Sequence, residues 1–183
     1  MLTTMETLSA ILALVAGIGA LAVLVATMLG ERSPATLGIA RWVLQQRAAF
    51  TFAVALLSTL GSLYFSEIAD FVPCRLCWFQ RVFMYPITIV ALVGLVRRDA
   101  AARWYSASLA VIGGGVSLYH LLIERGILPD STSCSLFGPP CSEVWFRAFG
   151  FVTLAFMALC GFVAIVVLNL LPVPGAPSPE ETP

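Results

Sequence analysis

Charged residues are spaced along this chain so that long apolar runs remain between them. Leu8 to Leu29 (22 residues), Ala48 to Ser66 (19) and Ala148 to Leu171 (24) contain no Asp, Glu, Lys, Arg or His. Trp104 to Tyr119 adds 16, or 20 to Ile123 once His120 is admitted, and Leu76 to Val96 (21) is interrupted only by Arg81. Each is close to the roughly 20 apolar residues that cross about 30 Å of hydrocarbon as a helix. Together they take 106 of 183 positions. The pattern predicts an all-α membrane protein of five spanning helices, with little left over for a soluble domain. Between the first two runs, Ala35 to Gln46 sets Ile39, Trp42 and Val43 between Arg41 and Arg47. That segment reads as a short interfacial helix leading into the second span.

Composition agrees: 60% of residues are hydrophobic and 11% charged, against roughly 45–50% and about 25% in soluble domains. All ten basic residues are Arg and are offset by ten acids, so no basic face exists for nucleic acid. Without Lys there is no Schiff-base or Ser-Lys chemistry. A single His excludes multi-histidine metal sites and leaves little room for a hydrolytic triad. The opening MLTTMETLS lacks the positive n-region of a secretory signal, so the first run reads as a retained helix. Arg32, Arg41 and Arg47 occupy the first connection and Arg97, Arg98 and Arg103 the third. The second and fourth hold Glu67, Asp70, Glu124, Asp130 and Glu143, with Arg75, Arg125 and Arg147 as their bases. By the positive-inside rule the first and third connections are cytoplasmic, which puts the N-terminus outside and the C-terminus inside. The ending PVPGAPSPEETP reads as disordered.

On this topology four of five cysteines face the non-cytoplasmic side. Cys74 and Cys77 form a CxxC at the outer end of the third span, and Cys134 and Cys141 lie in the last outer connection. Disulfides persist there, so two oxidised pairs are expected at rest. Cys160, in mid-span, reads as a small buried apolar side chain. The surroundings of PCRLCWFQR favour a reactive pair over a structural clip. Pro73 suits a helix start, and a helix N-terminus with Arg nearby stabilises a thiolate. Arg81 stands four residues after Cys77, on the same helical face one turn deeper. An Arg at that depth is costly and a functional candidate. Its plainer alternative is snorkelling to the interface. The glycines at 113 to 115 read as permitting close helix packing.

The string CRLCWFQRVFMYP resembles the CxLCWxQRxxMYP signature of the DsbB disulfide-bond-formation family, in the manner of its BdbC-type members. The resemblance covers Ala48 to Leu171, with the second cysteine pair and SLYHLLIE at the end of the fourth span. It implies a four-helix bundle in the bacterial plasma (inner) membrane, preceded here by one extra N-terminal transmembrane helix. Such a bundle reoxidises a DsbA-like thioredoxin-fold thiol oxidase and hands the electrons to the membrane quinone pool, ubiquinone or menaquinone, supporting disulfide formation in exported proteins. Carried over residue by residue, Cys77 resembles the cysteine facing the quinone, Cys74 its partner, and Arg81 the Arg that assists quinone reduction. Cys134 and Cys141 match the loop pair, with Cys134 forming the mixed disulfide with the soluble partner. His120 is then placed to bond a quinone carbonyl or relay a proton, and Trp78, Phe79 and Tyr85 to line a ring pocket. Two departures stand out: the extra helix, and only six residues between Cys134 and Cys141, which shortens the reach of Cys141 toward Cys74.

The implied division is residues 1–47 for the extra helix and its cytoplasmic connection, 48–171 for the redox bundle and 172–183 for the tail. Two rival readings remain. A vitamin-K-epoxide-reductase-like enzyme shares bundle and quinone, but there the CxxC follows the loop pair. A non-enzymatic four-cysteine zinc protein is disfavoured by the six-residue spacing and the oxidising side, so no metal is expected.

Overall fold

The computed structural model describes residues 2–29, 34–129 and 139–174; Arg32, Asp130, Cys134 and the tail from residue 175 lie outside the described residues. Six helices follow in chain order: α1 (Leu2–Leu29), α2 (Pro34–Gln45), α3 (Arg47–Glu67), α4 (Arg75–Arg97), α5 (Ala102–Glu124) and α6 (Leu154–Leu170). Four of them, α1, α3, α4 and α5, are long and apolar enough to cross a membrane, and α6 is an apolar helix of 17 residues. The fold is thus the helical membrane bundle that the apolar runs predict. The interfacial segment is α2, which joins α3 almost without a break. Only Gln46 intervenes, and its N–H bonds back to the carbonyls of Trp42 and Val43.

Two boundaries differ from the sequence reading. Helix α1 begins six residues ahead of the charge-free run, because the single Glu6 does not end a helix. Helix α6 begins six residues inside its run. Phe149 (φ 52°) and Gly150 (φ 79°) adopt left-handed backbone there, and Ala148 and Val152 close a tight turn through a pair of 2.9 Å bonds. Thr153 then accepts from the Phe156 N–H at 3.3 Å and caps the new helix. An apolar run reports affinity for hydrocarbon and is blind to such a turn.

Helices α3 to α6 close on one another as α3–α4, α4–α5, α5–α6 and α6–α3, around a core of Ala55, Met84, Ile87, Ala110, Phe162 and Ile165. Of the three adjacent glycines, Gly113 is the one that close packing requires. A Cβ there would stand 2.4 Å from two ring atoms of Phe162, whereas one at Gly115 would meet nothing within 4 Å. Among the polar ties is Asn169, whose Nδ2 donates to Thr51 Oγ1 at 2.8 Å between α6 and α3, a bond without competing water in hydrocarbon. Helix α1 lies outside this bundle, against α6 and α2. It approaches through small residues, with Ala10 and Ala20 buried and Gly17 facing Cys160, whose sulfur stands 3.0 Å from where a Gly17 Cβ would be. Cys160 therefore packs in a helix seam.

The antiparallel alternation sorts the chemistry by end. One end carries the N-terminus of α4, the C-terminus of α5 and the segment leading to α6, and with them Cys74, Cys77 and Cys141. The other carries Arg41, Arg47, Arg97, Arg98 and Arg103.

Candidate active site

The CxxC spacing is the spacing of a helix cap. Cys74 is extended (φ −69°, ψ 172°) and stands at the N-cap of α4, where its Sγ accepts from the backbone N–H of Cys77 at 3.4 Å. Pro73, expected as the first helical residue, instead precedes the cap, since a sulfur acceptor three residues before a free N–H takes the capping role itself. The cap brings the two sulfurs to 3.0 Å. That spacing holds the pair ready to close as a disulfide, whose S–S bond is about 2.05 Å. The hydrogen bond to Cys77, followed by burial, pushes the Cys74 thiol up from 9.0 to about 12. Cys74 thus keeps its proton and can donate it to the Cys77 sulfur.

On the Cys74 side stands His120, 2% exposed. Its Nδ1 lies 3.2 Å from Gln80 Nε2, and its Nε2 lies 3.1 Å from the Cys141 carbonyl and 3.6 Å from Cys74 Sγ. With the Gln80 amide nitrogen donating to Nδ1, a proton on Nε2 meets the Cys141 carbonyl. That N–H points at Cys141 and Cys74 together. Glu124 adds a carboxylate 3.8 Å from Nε2, held by the Thr153 hydroxyl at 2.6 Å. Cys141 is fully buried and shares an apolar cluster with Cys74, Leu76 and Ile123. Cys141 thus stands in the same cluster as Cys74; Cys134, the other loop cysteine, lies outside the described residues. Aromatic stacking clamps this loop in place. Phe71 lies nearly parallel to Phe65 at 5.7 Å and to Trp145 at 5.0 Å, and Asp70, in left-handed backbone (φ 56°), turns the chain toward that stack.

On the Cys77 side opens a cavity of about 490 Å³, lined among others by Cys77, Gln80, Arg81 and Tyr85 at one end and by aliphatic residues of α1, α3 and α6 along its length. Arg81 is 9% exposed. Its Nη2 donates to the Ser62 carbonyl of α3 at 3.1 Å, and its guanidinium lies 5.2 Å over the Trp78 ring. It is thus bound inside the bundle, one turn below Cys77. The remaining expected ring contacts divide. Tyr85 lines the cavity, while Trp78 and Phe79 point outward, 56% and 43% exposed. His120 belongs to the Cys74 side and is not part of this wall. Gln80 touches both sides and is the residue that sequence reasoning passed over. Its signal was available: a neutral amide in an apolar span, one turn below Cys77, needs a partner.

The metal-ligating atoms that converge among the described residues are the thiols of Cys74 and Cys77 and the His120 ring, within 4.8 Å of one another. That is two sulfurs and one nitrogen; Cys134, needed for the four-thiol reading, lies outside the described residues.

The chain is similar to known proteins over this same region. The family model described as disulfide bond formation protein DsbB matches residues 44–172. A probable disulfide formation protein C 1 of Bacillus anthracis is 41% identical over 128 residues, 69% of this chain and 92% of the relative. The disulfide bond formation protein C of Bacillus subtilis (strain 168) is 38% identical over 136 residues, 70% of this chain and 95% of the relative. A probable disulfide formation protein of Metapseudomonas resinovorans is 38% identical over 122 residues, 66% and 85% of the two chains. What remains unmatched in the B. anthracis relative is about 11 residues, fewer than the roughly 20 of a spanning helix, so α1 has no counterpart there. No solved structure is significantly similar to the chain.

Proposed function

Because the chain belongs to the DsbB family of disulfide bond formation proteins, and so is a multi-pass membrane disulfide oxidoreductase, we propose that it reoxidises a DsbA-like thiol oxidase outside the cytoplasm and delivers the electrons to a membrane quinone. The observation that carries this reading is the two-sided CxxC. Cys74 faces Cys141 and His120, and Cys77 faces a cavity with an apolar length and a polar end. A disulfide relay needs one sulfur open to incoming thiols and one open to the final acceptor.

The partner's dithiol becomes a disulfide by exchange with Cys134 and Cys141, through a mixed disulfide at Cys134. The electron pair then moves by a second exchange onto Cys74 and Cys77. In that exchange the Nε2–H of His120 is aimed at Cys74 and can stabilise charge on its sulfur, while Cys74 holds a proton beside Cys77. A quinone, when bound, supplies the oxidising power by taking up two electrons and two protons. The cavity fits such a group, since ligand sites of this size are mostly apolar with a few convergent polar atoms. Arg81, Gln80 and Tyr85 would hold its oxygens. Arg81 is suited to stabilise negative charge because it does not lose its proton. The clustering of Arg at the opposite end supports a cytoplasmic position for that end, with both cysteine pairs facing the periplasm or cell exterior.

The test is anaerobic incubation of the purified full-length protein with a reduced DsbA-like partner and ubiquinone or menaquinone. One quinol should appear for each partner disulfide formed. Partner disulfide appearing with the quinone unreduced overturns the reading.

A further inference from the structure

The acceptor cavity is not enclosed by the family bundle alone. Helix α1 packs on α6 and α2 and hardly touches α3, and the gap it leaves is the cavity. Its wall on that side comes from Leu12, Ala13, Ala16, Gly19, Ala20 and Val23. The cavity extends along α6 from Leu154, near the cysteine end, to Leu168 near the arginine end, about 21 Å of helix at 1.5 Å per residue. Arg81, Gln80 and Tyr85, the groups able to hold a ring, stand toward the Cys77 end, and the rest of the lining is mostly apolar. The outer face of α1 is the opposite of a wall: Ile18 and Leu21 are 65% and 58% exposed, as suits contact with lipid.

Resting on the acceptor reading above, we propose that α1, the helix the B. anthracis relative lacks, converts the lipid-facing side of the acceptor site into a lined channel that holds the isoprenoid tail of the quinone. The occupant follows from continuity. The mostly apolar length is continuous with the polar end at Cys77, so one molecule with a polar ring and a long apolar tail fills both. With α1 as a wall, the shape and length of that tail matter.

Gly19 provides the test, because it lines the cavity and a Cβ built there meets nothing within 4 Å. Gly19→Leu and Gly19→Phe replace a poor helix former by better ones and fill the tail path. Ile18→Phe, on the lipid face, is the control. Binding is measured on the full-length protein in nanodiscs by quenching of tryptophan fluorescence, Trp145 being part of the cavity wall. The two probes are menadione and a menaquinone with the same ring and an isoprenoid tail. Each buried methylene is worth about fourfold in affinity, so displacing two or more should weaken menaquinone binding by more than about tenfold in Gly19→Phe. Gly19→Leu should show a smaller loss, and menadione should stay within about twofold of wild type in both. Unchanged menaquinone affinity in both Gly19 variants, or an equal loss for the two probes, overturns the proposal for α1. An Ile18→Phe variant as impaired as Gly19→Phe also overturns it. Wild-type protein that binds neither these probes nor ubiquinone overturns the acceptor reading itself.

Discussion

Two glycines on opposite faces of α5 should respond to the same substitution with opposite sign. Gly113→Ala places a methyl 2.4 Å from Phe162 Cε1 and Cζ, whereas Gly115→Ala places one in open space. Ordinary contact between carbon atoms begins near 3.5 Å, so the Phe162 ring must retreat by about 1 Å. It has little room, being fully buried among Met84, Ile87, Ala110 and Ile165. Overpacking of this kind costs about 1–3 kcal/mol. Both variants gain the same helix propensity, at most about 1 kcal/mol, and the difference between them isolates the clash. Gly115→Ala should therefore be neutral to slightly stabilising, and Gly113→Ala less stable than it by about 1–3 kcal/mol. Phe162→Leu, which removes the clashing ring atoms, should restore most of that loss, leaving a coupling energy of about 1–2 kcal/mol in the double-mutant cycle. The measurement is reversible unfolding in mixed micelles followed by circular dichroism. Equal stabilities for the two alanine variants, or a coupling energy of zero with Phe162→Leu, would refute the packing argument.

Arg81→Ala should slow quinone reduction by about 10²–10³ and leave disulfide exchange with the partner nearly intact; Arg81→Lys should recover only part, lacking the planar fork, and a wild-type rate in Arg81→Ala would reduce the residue to a structural tie to Ser62 and Trp78. With the Cys74 thiol raised from 9.0 to about 12, the folded dithiol form keeps a proton that the unfolded chain loses. Its contribution to stability is therefore present below pH 9.0 and is lost as pH rises toward about 12. Alkylation of Cys74 at pH 9.0, mapped by mass spectrometry, should be about tenfold or more faster in Cys77→Ala, which removes the first cause of that shift; equal rates would contradict it. Cys141→Ala leaves Cys134 a lone thiol that should attack the disulfide of the oxidised partner, displacing one partner sulfur as thiolate and forming a covalent adduct, and recovery of that adduct from Cys134→Ala instead would reverse the order of attack.

Much of this was legible in the order of residues. Spans are set by the cost of placing charge in hydrocarbon, a property that each stretch carries by itself, so five apolar helices and the short α2 could be read directly. The CxxC with Arg81 one turn deeper was equally local, because a helix fixes which residues share a face. What lay beyond the sequence depended on contacts between distant segments. The delayed start of α6 follows from a turn at Phe149 and Gly150 that hydropathy does not register. The arrival of Cys141 beside Cys74 depends on the stack of Phe65, Phe71 and Trp145, which joins two loops more than 70 residues apart in the chain. His120 looked suited to the acceptor but sits on the Cys74 side, because the rotation of α5 about its axis is decided by packing such as Gly113 against Phe162. Gln80 appeared as one more polar residue in a motif until the fold set it between His120 and the cavity. The role of α1 was the least legible of all: its sequence says only that it is apolar, and only its place against α6, standing off from α3, makes it a wall of the cavity at Cys77.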